Sequence, residues 1–219
     1  MTNVQFGWAV IDMPLEGSSA TQYVSQIRAT LDQIRGHFDS VWVADHLMTA
    51  VDNLPLATPV LEGWTTIALL AGEYPDFRFG NSVLCQSYRN PALLAKMGAT
   101  LQLLSGGRFI LGIGAGWRER EYEAYGYDFP PPAVRVAQLA EAVQIIRQLW
   151  TESPATFTGE HYQLRDAYCE PRPNPPIPIM IGGAGEQLTL RVVARPADWW
   201  NTGGTVALYT PKLDVLRRH

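Results

Sequence analysis

The chain has 219 residues, of which 47% are hydrophobic and 17% charged, with a net charge of −4. That is enough apolar material for one sizeable core, and it excludes an intrinsically disordered chain. No Lys/Arg-rich run offers a footprint for nucleic acid or an anionic membrane surface, and no apolar run reaches the roughly 18 residues of a membrane span.

Elements follow in chain order from the period of the apolar residues. "VQFGWAV" (4–10) reads as a buried strand. Residues 20–36 place Tyr23, Ile27, Leu31 and Ile34 at helical spacing. "FDSVWVAD" (38–45) is a second strand, 63–74 a helix, and "FRFGNSVLC" (77–85) a third strand. Residues 90–107 form a helix with Pro91 in its first turn and a glycine stop. "RFILGIG" (108–114) is a fourth strand and 134–150 a long helix on Val136, Leu139, Val143, Ile146 and Leu149. "IPIMIGG" (177–183) is a fifth strand, 186–195 a short helix, "ADWWNT" (197–202) a sixth strand and 209–218 a last helix.

Strand and helix thus alternate about six times, which is the pattern of an α/β fold with a parallel sheet, either a barrel or a doubly wound one. Residues 117–134 and the Pro-rich 153–178 are long connections of the kind that serve active sites. The second is read as an extended excursion, since strand five resumes directly after it. Residues 1–219 read as a single domain. The two cysteines, Cys85 and Cys169, have no metal-ligand spacing and imply no disulfide framework. The N-terminus lacks a signal-peptide pattern, so a cytoplasmic location is expected.

"RFILGIGAGWRE" (108–119) invites comparison with the dinucleotide fingerprint. The third glycine, Gly116, falls one residue early, the motif follows the fourth strand, and no acidic strand end lies about 20 residues on. The alternative is a barrel strand whose C-terminal glycines let backbone approach a flat ligand, or simply a tight turn. Three other strand ends carry polar groups. Asp45 and His46 end the second, with His46 as a candidate proton donor or acceptor and Asp45 as its neighbour or a helix cap. Gly182, Gly183, Gly185 and Glu186 lie between the fifth strand and a helix, an arrangement suited to a phosphate. Asn201 and Thr202 end the sixth.

Taken together, "VWVADHL", "FGNSVLCQSYRNPALLAKMGATLQLLSGGRFILGIGAGW", "EYEAYGYDFP", "LWTESPATFTGEHYQL" and "IPIMIGGAGEQLTLRVVARPADWWNTGG" resemble the bacterial luciferase-like flavin and deazaflavin oxidoreductases. The resemblance implies a (β/α)8 TIM barrel holding coenzyme F420, with FMN as the alternative, in its C-terminal mouth. It implies hydride transfer to or from a small organic substrate, with an FMN-dependent monooxygenase and an inactive barrel as alternatives. A non-proline cis peptide, here Ser82–Val83, would back the cofactor ring. Asp45 and His46 match the ring-facing and substrate-facing pair, Gly114 and Ala115 the backbone beside the ring, and Gly182, Gly183 and Gly185 the phosphate loop. Thr202 matches a substrate-side position. Trp117 stands where F420-dependent sugar-phosphate dehydrogenases carry a Glu, and Ala50 where they carry a Trp, so a different substrate is expected and Trp117 reads as pocket wall. The chain ends in the helix after the sixth strand, whereas the resemblance implies eight strands. A homo-oligomer covering the open edges is therefore expected.

Overall fold

The computed structural model describes residues 4–11, 13–14, 18–186, 188–194 and 196–219. Strands β1 (Gly7–Ala9), β2 (Ser40–Val43), β3 (Arg78–Asn81), β5 (Phe109–Gly114), β8 (Ile179–Gly182) and β9 (Trp199–Asn201) pair in that order, each parallel to its neighbour. The expected α/β architecture is thus a parallel half-barrel. Its central strands "FILGIG" and "IMIG" are buried at every position, as parallel strands covered on both faces must be. Among the described residues no helix is long and apolar enough to cross a membrane.

Local chemistry sets the helices. Helix α1 (Ala20–Ile34) opens with a capping box between Ser19 and Gln22 and buries Tyr23, Ile27 and Leu31. Helix α2 (Gly63–Glu73) is capped by Glu62, whose carboxylate accepts from the N–H groups of Trp64 and Thr65. In α3 (Pro91–Leu104), Asn90 caps the first turn and Pro91 needs no donor there. Helix α5 (Pro132–Thr151) packs on α3, where the Trp150 indole donates to the Ala95 carbonyl at 2.9 Å above Gly98.

Apart from shifts of element ends, three segments differ from the sequence reading. The third strand is interrupted: Ser82–Val83 is cis, and the chain re-enters the sheet as β4 (Leu84–Cys85) against the upper half of β5. Residues 117–134 contain a helix, α4 (Glu119–Tyr125), ended by Gly126 at φ 74°. Its "EREYEAY" has no apolar stripe to announce it. The Pro-rich excursion contains an antiparallel hairpin, β6 (Ala155–Thr158) with β7 (Gln163–Ala167). Its turn is held by Glu141 of α5, which accepts from the N–H groups of Glu160, His161 and Tyr162. The sixth helix is shorter than expected, α6 (Thr189–Ala194), and α7 (Val206–Arg218) closes the described chain.

Gly112 fixes where β3 breaks. A Cβ there would collide with the Asn81 carbonyl oxygen and come within 3.0 Å of the Met180 methyl. The obstacle is backbone, which cannot rotate away. Gly112→Ala should therefore lower unfolding free energy by about 1–3 kcal/mol or more, read as a shift of the urea midpoint at constant slope.

Candidate active site

The C-terminal strand ends converge on a cavity of about 300 Å³. Of the residues expected from sequence, Asp45, His46, Ser82, Val83, Trp117, Gly182, Gly183, Asn201 and Thr202 line it. Gly114 lies just behind: its missing side chain is what admits Val83, whose Cγ2 would be 2.8 Å from a Cβ at Gly114 and 2.9 Å from one at Gly182. Val83 therefore forms an apolar floor seated on glycine backbone. Ala115, partly buried against the core, lies beyond the lining, as do Gly185 and Glu186.

Asp45 is not a free carboxylate. Both oxygens accept from Arg89 at 2.8 Å, and one also accepts the Cys85 N–H at 2.9 Å. Its side chain is 2% exposed and that of Arg89 12%. Burial pushes the Asp45 carboxyl above its ordinary value, against the pull of Arg89 and, less, of the Cys85 N–H. Burial lowers Arg89, but Asp45 and Glu62, which both bond it, more than offset this and hold it above its ordinary value. Arg89 thus ties the end of β2 to the cap of α2.

His46 meets a partner that the sequence pattern does not reveal. Its Nδ1 lies 3.1 Å from both oxygens of Glu121, on α4, and its ring stands edge-on to Trp117 with centroids 5.8 Å apart. Glu121, 2% exposed, also accepts from the N–H groups of Leu47 at 3.0 Å and Met48 at 3.1 Å and from the Tyr88 hydroxyl at 3.1 Å. Burial raises Glu121, yet His46, the Met48 N–H and Tyr88 together bring it below its ordinary value. Burial, with Cys85 and Glu121 nearby, pushes the Tyr88 phenol up, so it stays a donor at neutral pH. Burial likewise raises Cys85, a neutral thiol whose Sγ lies 2.9 Å from the Tyr122 hydroxyl.

Glu121 carries a pH signature. Its folded value lies below the ordinary 4.5, so the unfolded chain binds more protons as the solution is acidified. Its stabilisation is complete above that pH and disappears as pH falls through the folded value. Glu121→Gln should flatten the acid loss of stability, seen by comparing urea unfolding near about pH 6 and about pH 3.5 in both proteins.

At the other end of the cavity the Gly183 N–H donates to the Asn201 carbonyl at 3.0 Å, so it is engaged within the sheet end. Among the described residues the N–H groups of Ala184 and Gly185 donate to no protein acceptor. Lys212 of α7 reaches this loop, donating to the Ala184 carbonyl at 2.9 Å and to Glu186 at 3.1 Å. Neither Glu121, Arg89 nor Lys212 is signalled by local pattern. Each acts across a long sequence separation on a strand end that is itself visible.

The chain is similar to known proteins over most of its length. A family model described as luciferase-like monooxygenase matches residues 5–212. An F420-dependent glucose-6-phosphate dehydrogenase of Amycolatopsis mediterranei is 36% identical over 178 residues, 80% of this chain and 52% of its own length. The chain thus spans about half the length of such relatives. An F420-dependent secondary alcohol dehydrogenase solved with an F420–acetone adduct superposes with a TM-score of 0.81 at 25% identity, over 98% of this chain and 64% of that one. The oxygenating constituent of a Pseudomonas putida diketocamphane monooxygenase, solved with FMN, shares the fold at TM-score 0.76 and 19% identity, over 98% and 61%.

Proposed function

The chain belongs to the luciferase-like monooxygenase family, and on that premise we propose that it is an oxidoreductase moving a hydride between coenzyme F420 and a small organic substrate. The observation that carries this reading is the cavity itself. Val83, seated on the backbone of Gly114 and Gly182, gives an apolar floor to a cavity that His46 also lines, and this suits a planar ring with one proton to manage. When bound, the deazaflavin supplies the hydride chemistry at its C5. This chain's own residues do the rest.

Val83 backs the ring and Trp117 walls the substrate side. Asn201 and Thr202 offer hydrogen bonds, and His46 holds or moves the proton. The N–H groups of Ala184 and Gly185, which donate to no protein acceptor among the described residues, lie on the loop that Lys212 reaches and fit the cofactor's anionic end. Asp45 acts through Arg89 and Cys85 as a positioning group for the strand end. Trp117, in place of the Glu of sugar-phosphate dehydrogenases, supports a substrate different from theirs. FMN is the alternative cofactor, since relatives of the same fold hold it. Association with a second copy is part of the same reading, and sedimentation at two concentrations reads it.

Fluorescence titration with F420 and, separately, FMN tests the reading. Saturable F420 binding tighter than FMN supports it. Tighter FMN binding shifts it to the flavin alternative, and failure of both overturns it. Lys212→Ala should weaken F420 binding several-fold at low salt and less at high salt, because the lost contribution is electrostatic.

A further inference from the structure

We infer that Glu121 is a positioning residue that fixes the tautomer of His46, with the proton on Nδ1 and the lone pair of Nε2 left for the cavity. The inference deepens the reading of His46 as the proton-handling group, and it follows from hydrogen-bond inventory. Both Glu121 oxygens lie 3.1 Å from Nδ1. One of them already accepts from the Leu47 and Met48 N–H groups and the other from the Tyr88 hydroxyl. An ionised carboxylate has no proton to give, so the contact requires that Nδ1 carry one.

The two ring nitrogens point to opposite sides of an imidazole. With Nδ1 turned to Glu121, Nε2 has no protein partner among the described residues, while His46 itself lines the cavity. The neutral ring therefore accepts a proton at Nε2 and does not offer one. Once the proton arrives, the ring stays bonded through Nδ1 to a carboxylate that is 2% exposed. The anchoring is rigid because the same carboxylate bonds the backbone of the two residues that follow His46 in sequence.

Trp117 packs edge-on against the same ring, with centroids 5.8 Å apart.

The test needs neither cofactor nor turnover, so its failure is separable from failure of the proposed activity. In uniformly histidine-15N-labelled protein, two-bond proton–nitrogen correlation at alkaline pH reports each ring's tautomer, with His46 assigned by its loss in His46→Gln. Wild type should show His46 with a protonated Nδ1 and a bare Nε2, the minor form for free histidine. In Glu121→Gln the amide oxygen can keep the Leu47 and Met48 N–H groups while its NH2 donates to Nδ1. The tautomer should then invert to Nε2–H, with the Leu47 and Met48 amide signals still dispersed. A wild-type His46 in the Nε2–H form overturns the inference, and this measurement stands even if the variant does not fold. A folded Glu121→Gln protein with an unchanged tautomer overturns it as well.

Discussion

Arg89→Met should lower the unfolding free energy by about 3–5 kcal/mol, the loss typical when one partner of a buried ion pair is removed. The guanidinium is the main group drawing Asp45 toward its ionised form, and it bonds Glu62 at the same time. Methionine fills much of the volume but supplies no donor, so Asp45 is left buried with the Cys85 N–H alone. The deficit has a pH sign. Burial already raises Asp45 above its ordinary 3.8, and without Arg89 it rises further. A carboxyl whose folded value is raised binds extra protons when folded, so its folded form loses ground as pH climbs through that window. The variant should thus be closer to wild type near about pH 4 than near neutrality. Adding Asp45→Asn should recover part of the loss, since Asn can still accept from Cys85 and no longer brings a charge. A double-mutant cycle in urea measures the coupling. Equal losses at both pH values, or no recovery in the double variant, would show that Arg89 acts by packing alone.

How much of this was open to sequence reasoning depends on whether a signal was local. Strands such as "FILGIG" and "IMIG" declare themselves, because burial on both faces demands an unbroken apolar run. The Asn90–Pro91 start of α3 is equally plain, since cap and first turn are neighbours in the chain. Helix α4 is silent by comparison. It has seven residues, its two buried side chains are the adjacent Glu121 and Tyr122, and what holds it is a set of bonds to residues 46–48 and 85–88. The β6–β7 hairpin is hidden for a similar reason, because Glu141 on another element organises its turn. The break between β3 and β4 is invisible to periodicity, which runs straight through "FGNSVLC", and only the family resemblance placed a cis peptide there. The site divides the same way. Asp45, His46 and the glycine loop end apolar strands and are legible. Arg89, Glu121 and Lys212 are charged residues on helices or turns, where charge is the ordinary solvated choice.

His46→Ala should slow hydride transfer by about 10²–10⁴-fold while leaving cofactor affinity unchanged, the range expected for loss of a positioned acid–base group. The variant is a cleaner probe than any change at Glu121. Removing the imidazole leaves the Glu121 carboxylate with three donors, the N–H groups of Leu47 and Met48 and the Tyr88 hydroxyl, so the buried charge stays satisfied and the fold is kept. Glu121→Ala would instead strand those donors and confound stability with rate. Transfer is followed by the deazaflavin absorbance over a panel of small hydroxyl- and carbonyl-bearing compounds, with F420 affinity measured in parallel by fluorescence. A His46→Ala enzyme that keeps both affinity and turnover would remove His46 from the chemistry. Added imidazole supplies the decisive control. It fits the space vacated beside Trp117, and Glu121 remains to bind one ring N–H and leave the other nitrogen facing the cavity. Restoration of rate by imidazole, absent in wild type, would place the proton transfer at that position rather than at any residue rearranged by the substitution.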